Sequence, residues 1–107
     1  MVKIKWQKEA KQDLFEICKY YRCIKRSPQT ANNIKKAIFD AVCNLETFPE
    51  QGTKELALPD DDVCFRYLVV KHHYKVIYFY ESGICHIVAV WDCRNNPGVL
   101  QDKLRKE

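Results

Sequence analysis

Apolar positions along this chain recur with two different periods, and the switch between them divides it. Residues 2–6, VKIKW, alternate apolar and basic, the pattern of a short strand with one buried face. Ala10, Leu14, Ile17, Tyr21 and Ile24 then recur at steps of four, three, four and three, while Lys11, Asp13, Glu16, Lys19 and Arg22 take the other faces. That spacing predicts an amphipathic helix. Ser27-Pro28 ends it, because the residue before a proline is pushed out of the α region. The same pair opens a second helix, with Ser27 as its cap and Pro28 in first position. Ala31, Ile34, Ile38, Ala41, Leu45 and Phe48 carry the stripe by threes and fours to Pro49 and Gly52. Two such helices joined by a few residues predict an antiparallel hairpin whose apolar stripe needs a partner.

That partner comes after the loop at residues 50–62, where the period falls to two. Residues 63–70, 74–81 and 84–92 are rich in β-branched and aromatic side chains and predict three strands. Ser82-Gly83 suits a tight two-residue turn, since glycine tolerates positive φ. Lys71-His72 is read as a second two-residue turn, although it has no glycine. The tail at 98–107 reads as a short basic C-terminal helix or extension, capped by Asn96. The fold class is therefore α+β, a single domain over residues 1–107. An N-terminal strand and an antiparallel helical hairpin pack on a mainly antiparallel four-stranded sheet.

Those turns imply a register. Glu81 would face Ile84, Ile77 would face Val88, Lys75 would face Val90, and His73 would face Asp92. Across the other turn, Val70 would face His73, Leu68 would face Lys75 and Arg66 would face Ile77. Alternation then sorts the side chains. Phe65, Tyr67, Val69, Tyr74, Val76, Tyr78, Ile87, Ala89 and Trp91 would pack on the helices. Arg66, Leu68, Val70, His73, Lys75, Ile77, Val88, Val90, Asp92 and Arg94 would line the other face. Its polar edge would gather two arginines, a lysine, a histidine and an aspartate. Such cations suit a phosphate backbone, and a histidine among them suits proton transfer near neutral pH. The edge could thus bind RNA, or cleave it without metal by stabilising the charge that builds on the phosphorane. Lysine and arginine at a sheet edge also serve simply to prevent strand–strand aggregation, and that reading stays open beside the first.

Composition changes this picture little. Of the 107 residues 47% are apolar, and three glycines and four prolines leave no room for a low-complexity chain. The net charge of +4 is unevenly spread. Residues 1–48 hold ten Lys/Arg against five Asp/Glu, residues 49–62 one against five, and residues 63–107 seven against four. Two basic segments flanking an acidic one favour an anionic partner. The first residues contain no apolar run suited to a signal peptide, and no segment reaches membrane-spanning length, so a cytoplasmic location is expected. Cys18, Cys23, Cys43, Cys64, Cys85 and Cys93 show no C-x-x-C or Cys/His pairing, so no metal or other cofactor is expected, and the thiols read as small hydrophobes.

Several stretches resemble the RelE/ParE superfamily of toxins from bacterial type II toxin–antitoxin systems. They are Trp6 followed by EAKQDLFEICKYY, then LETFPEQG at 45–52, FRYLVVKHHYKVIYFY at 65–80, and IVAVWDCRNNP at 87–97. The resemblance implies the RelE/ParE-like fold and a growth-arresting toxin, of the kind associated with plasmid stabilisation. Its expected partner is an antitoxin with an acidic, partly disordered segment, which also supplies the DNA-binding domain for the operator. RelE-like members enter the ribosome and cut mRNA; ParE-like members inhibit DNA gyrase and are not nucleases. On the RelE-like reading the toxin is a metal-independent endoribonuclease. The resemblance then puts Lys75 where an arginine is usual and matches Arg94 to the last-strand arginine, with Arg66 and His73 near the other functional positions. Arg66, Lys71, Lys75 and Arg94 would contact RNA. Many nucleolytic members also carry a tyrosine after the last strand, and this tail has none. The rather long helical hairpin looks ParE-like. The RNase reading leads, with gyrase inhibition and an inactive antitoxin-binding homologue as alternatives.

Overall fold

The computed structural model describes residues 2–55 and 64–93. A strand β1 (Lys3–Trp6) leads into helix α1 (Lys8–Lys19), which passes into a wide π-type turn (Tyr20–Ile24). Helix α2 (Pro28–Cys43) runs on into a 3₁₀ turn (Asn44–Glu46). Four strands follow: β2 (Thr53–Lys54), β3 (Arg66–Val70), β4 (Tyr74–Glu81) and β5 (Ile84–Asp92). They form one sheet in the order β1-β5-β4-β3-β2, with β1 parallel to β5 and the other pairs antiparallel. The α+β architecture is as expected, and β2 adds a fifth strand. The expected C-terminal helix at 98–107 lies outside the described residues.

Ala10, Leu14 and Cys18 of α1 and Ala31, Ile34, Ile38 and Val42 of α2 are buried against the sheet together with Leu45. The stripes end sooner than their spacing suggests. In the π-type turn the Lys25 amide reaches back to the Tyr20 carbonyl. The extra residue per turn rotates Ile24 away from the core, leaving it 70% exposed. In α2 the stripe runs through Val42 rather than Ala41, and Phe48 is exposed beyond the 3₁₀ turn. Pro28 starts α2 as expected, but the Ser27 hydroxyl bonds the Thr30 hydroxyl at 2.7 Å rather than a backbone amide.

Two single-residue differences re-sort the sheet. The Ser82-Gly83 turn is as expected: both residues have positive φ and Glu81 faces Ile84. Partway along β5, however, Tyr78 pairs with Ile87 while Ile77 pairs with Ala89, so Val88 is an extra, bulged residue. From there on Lys75 faces Trp91 rather than Val90, and Tyr74, not His73, faces Asp92. The β3–β4 turn likewise takes three residues, with Lys71 and His72 both at positive φ, so Val70 faces Tyr74 and Arg66 faces Tyr78. Shifting a strand by one residue exchanges its faces. Leu68, Val70, Tyr74, Val76, Tyr78, Cys85, Ile87 and Val90 therefore pack with the helices. Phe65, Tyr67, Ile77, Phe79, Val88, Ala89 and Trp91 form a second cluster on the opposite face. The expected sorting holds for β4 and for the first half of β5; β3 and the end of β5 are reversed.

The end of β1 explains a buried charge. β1 stops pairing at Trp6, opposite Ile87, and the Gln7 amide makes the last contact, to the Ile87 carbonyl. Beyond that point the Val90 N–H would face α1 unpaired. Asp13, buried on the inner side of α1 rather than on an outer face, accepts it at 3.1 Å. A buried amide left without an acceptor costs about 1–3 kcal/mol. Asp13→Ala should therefore lower the unfolding free energy by about that amount, whereas Asp13→Asn, which keeps an acceptor oxygen, should recover most of it. Denaturant melts followed by circular dichroism would show the difference, and equal losses in both variants would mean that the Val90 contact is not what Asp13 supplies.

Candidate functional site

Among the described residues, Lys75, Arg66, His73 and Lys71 do not converge on one edge. Lys75 sits in the middle of β4 on the face away from the helices, between its cross-strand neighbours Val69 and Trp91. Its Nζ is 2.9 Å from Glu55 Oε2 and 4.2 Å from the centre of the Tyr67 ring. Glu55 is tied to the sheet by its own amide, which donates to the Phe65 carbonyl at 2.8 Å. The Glu55 side chain is only 6% exposed against 28% for Lys75, so the lysine leans inward onto a carboxylate that is already sheltered. A pair this enclosed holds together strongly, because removing one partner leaves the other charge without compensation.

Arg66 lies on the opposite side of the sheet from Lys75, in the register that faces the helices. Its Nη1 donates to the Gly52 carbonyl at 2.9 Å and to that of Glu50 at 3.4 Å. It thus fastens the loop after α2 to the start of β3. His73 closes the β3–β4 turn, with its ring 4.6 Å from that of Tyr74 and its carbonyl accepting from the Cys93 amide. Lys71 is exposed in the same turn, with φ 54°. Arg94 lies outside the described residues. Lys75 is thus brought together with Glu55 and Tyr67, and not with Arg66; Asp92 is brought to Tyr74. Among the described residues no group of three or more His, Cys, Asp or Glu is placed to hold a metal ion.

Residues that sequence reasoning passed over complete this region. Gly52 packs so closely that a Cβ there would lie 2.6 Å from the Tyr78 hydroxyl and 2.8 Å from the Tyr67 carbonyl. Its N–H donates to that hydroxyl at 2.9 Å. Burial pushes the Tyr78 phenol above its ordinary value, outweighing the Gly52 amide, which pulls it down. Only the glycine had a readable signal, as a helix stop; nothing in a loop sequence marks Glu55 as the partner of a lysine twenty residues on.

Among the described residues, concave surfaces also open on the helical side. A groove of about 350 Å³ runs along the outside of the hairpin, floored by Trp6, Leu14, Phe15 and Phe39 and edged by Arg22 and Lys35. Lys11 stands on the same rim. Phe15 is 59% exposed and falls outside the core stripe of α1, and Trp6 meets Phe39 edge to face at 5.3 Å. A second, more polar cleft of about 550 Å³ opens where the π-type turn meets the end of β5, lined by Glu16, Tyr20, Tyr21, Lys25, Tyr74 and Asp92. The Tyr74 hydroxyl bonds that of Tyr21 across its floor at 3.2 Å.

Residues 4–97 match a family described as the ParE toxin of type II toxin–antitoxin system, parDE. A solved structure described as a chromosomal ParDE TA system from P. aeruginosa superposes with a TM-score of 0.69. It is 19% identical, and the match covers 86% of this chain and 96% of that one, a likeness of fold. No curated protein is significantly similar in sequence.

The stapled loop makes a prediction about alkaline pH. Because the folded state holds the Tyr78 phenol above the ordinary value of 10.0, its contribution is complete below pH 10.0 and declines as the pH rises beyond it, where the unfolded chain ionises first. Tyr78→Phe should lose about 1–3 kcal/mol near neutral pH, from the orphaned Gly52 amide. It should also show a shallower loss of stability above pH 10.0 than the wild type. Parallel pH-dependent melts of the two proteins would check this; identical alkaline limbs would remove Tyr78 from the explanation.

Proposed function

Since this chain belongs to the ParE toxin family of type II toxin–antitoxin systems, we propose that it arrests growth by inhibiting DNA gyrase rather than by cutting mRNA. The observation that supports this reading is the state of the candidate cations among the described residues. Stabilising a scissile phosphate needs positive side chains aimed at one point from a shared surface. Lys75 is instead neutralised by Glu55 and lies on the opposite face of the sheet from Arg66, which is spent on the carbonyls of Gly52 and Glu50. His73 faces neither of them across a strand pair. A toxin acting by contact with a protein target does not need such an assembly, and the ParE-like members that this chain resembles act in that way.

Paired assays distinguish the targets. Purified toxin added to a cell-free translation reaction should leave mRNA ends unchanged, while the same preparation should inhibit supercoiling by gyrase. New cuts that depend on ribosomes, with supercoiling untouched, would reverse the conclusion in favour of the RNase.

The antitoxin partner is proposed to dock in the hairpin groove. Exposed aromatic side chains within a basic rim suit an amphipathic segment with apolar anchors and acidic flanks, and Phe15, Phe39, Lys11, Arg22 and Lys35 make such a surface. Central aromatic anchors dominate interfaces of this kind. Phe15→Asp should therefore weaken antitoxin binding by at least about tenfold, equivalent to about 1.4 kcal/mol. It should leave the melting temperature nearly unchanged, since Phe15 is mostly exposed. Calorimetric titration reads the affinity, and full-strength binding by the variant would place the antitoxin elsewhere.

A further inference from the structure

The face of the sheet turned away from the helices is rich in aromatic rings. Tyr67, Phe79 and Trp91 surround the strand positions of Ile77 and Ala89, and Phe79 lies nearly flat on His86, with ring centres 4.5 Å apart and planes 13° apart. Phe65 meets Phe79 edge to face. Lys75 stands on this same face beside Tyr67 and opposite Trp91. Aromatic side chains beside a cation form a surface on which single-stranded nucleic acids stack bases while the cation takes the phosphate.

Glu55 removes the cation from that surface. Its carboxylate is 2.9 Å from Lys75 Nζ and is the more buried partner, so a phosphate drawn toward the lysine meets a fixed negative charge instead of a free ammonium. The Tyr67 ring holds the lysine on its other side. Glu55 is held in turn by the β2–β3 connection, through its amide and the Phe65 carbonyl. We propose that Glu55 is a specificity-determining residue, which neutralises Lys75 and thereby withholds this aromatic sheet face from single-stranded RNA. The proposal rests on the reading of the chain as a toxin that does not act on RNA, and names the residue that enforces it.

The test measures binding of the full-length chain to a short fluorescent single-stranded RNA over a series of salt concentrations. Glu55→Gln keeps the side chain's size and a hydrogen-bonding oxygen but removes its charge. It should bind several-fold more tightly at low salt. Its slope of log affinity against log salt should steepen by about 0.7, the increment for one added phosphate contact on a single strand. Adding Lys75→Met to that variant should restore the wild-type slope, and Lys75→Met alone should leave it unchanged. An unchanged slope in Glu55→Gln, a steep slope that survives in the double variant, or a shallower slope in Lys75→Met alone would each overturn the proposal. The wild-type chain gives a check that needs no substitution: reductive methylation of amines should modify exposed Lys71 well before Lys75, and saturating RNA should not change the Lys75 yield. Lys75 reacting as fast as Lys71 would show that Glu55 does not shelter it. Ribosome-dependent mRNA cleavage by the wild type would defeat the functional reading itself. Failure of the binding experiments with gyrase still inhibited would remove only the role of Glu55.

Discussion

Asp13 reaches from the first helix to the amide of Val90 just past the bulge in the last strand. The arrangement of the sheet depends on that neighbourhood. β1 covers the edge of β5 only as far as Ile87, and the chain must then turn away to begin α1. The bulge at Val88 and the carboxylate of Asp13 together let β5 continue along β4 without β1 on its other side. Everything beyond the bulge takes its orientation from it: Val90 enters the core, Trp91 joins the opposite face, and Asp92 comes to the cleft at the end of the hairpin. One inserted residue thus determines which chemistry each surface of the toxin presents.

The segment from Glu50 to Glu55 plays a matching part at the other edge. It is fastened on one face by Arg66 and the Tyr78 hydroxyl, and on the other by the Lys75–Glu55 pair. Arg66 and Lys75 are both used to hold this loop against the sheet. Lys11, Arg22 and Lys35, exposed on the helices, rim an apolar groove. A basic rim around an apolar groove is complementary in charge to an acidic protein segment.

Helices and strands were legible because burial imposes periods of 3.6 and 2 on the chain, and Leu14, Ile34, Ile38, Val76 and Ile87 obey them. The Ser82-Gly83 turn was legible too, since glycine announces positive φ. The faces of β3 and of the end of β5 were not, because alternation carries no information about a bulge or about a third residue in a turn. Lys71 and His72 adopt positive φ without glycine, and nothing in their identities foretells it. Arg66 and Asp92 part from Lys75 for the same reason. Lys75 was placed on the correct face because β4 lies between the two irregularities, whereas Arg66 and Asp92 lie beyond them. Asp13 and Glu55 were unreadable for a different reason: a carboxylate in a helix or an acidic loop looks like a solvated charge until its distant partner is known.

The parallel pairing of β1 with β5 joins the two ends of the fold, as Lys3 meets Ile84 and Trp6 meets Ile87. A nascent chain emerges from its N-terminus, so β1 must wait until nearly all of the domain has been synthesised before it has a strand to join. Contacts so distant along the chain are also slow to form. The Asp13–Val90 bond and the seating of the hairpin on the last strand are subject to the same delay. Partly made copies of this toxin consequently lack the complete sheet on which its surfaces are built, and the protein matures late in its own synthesis.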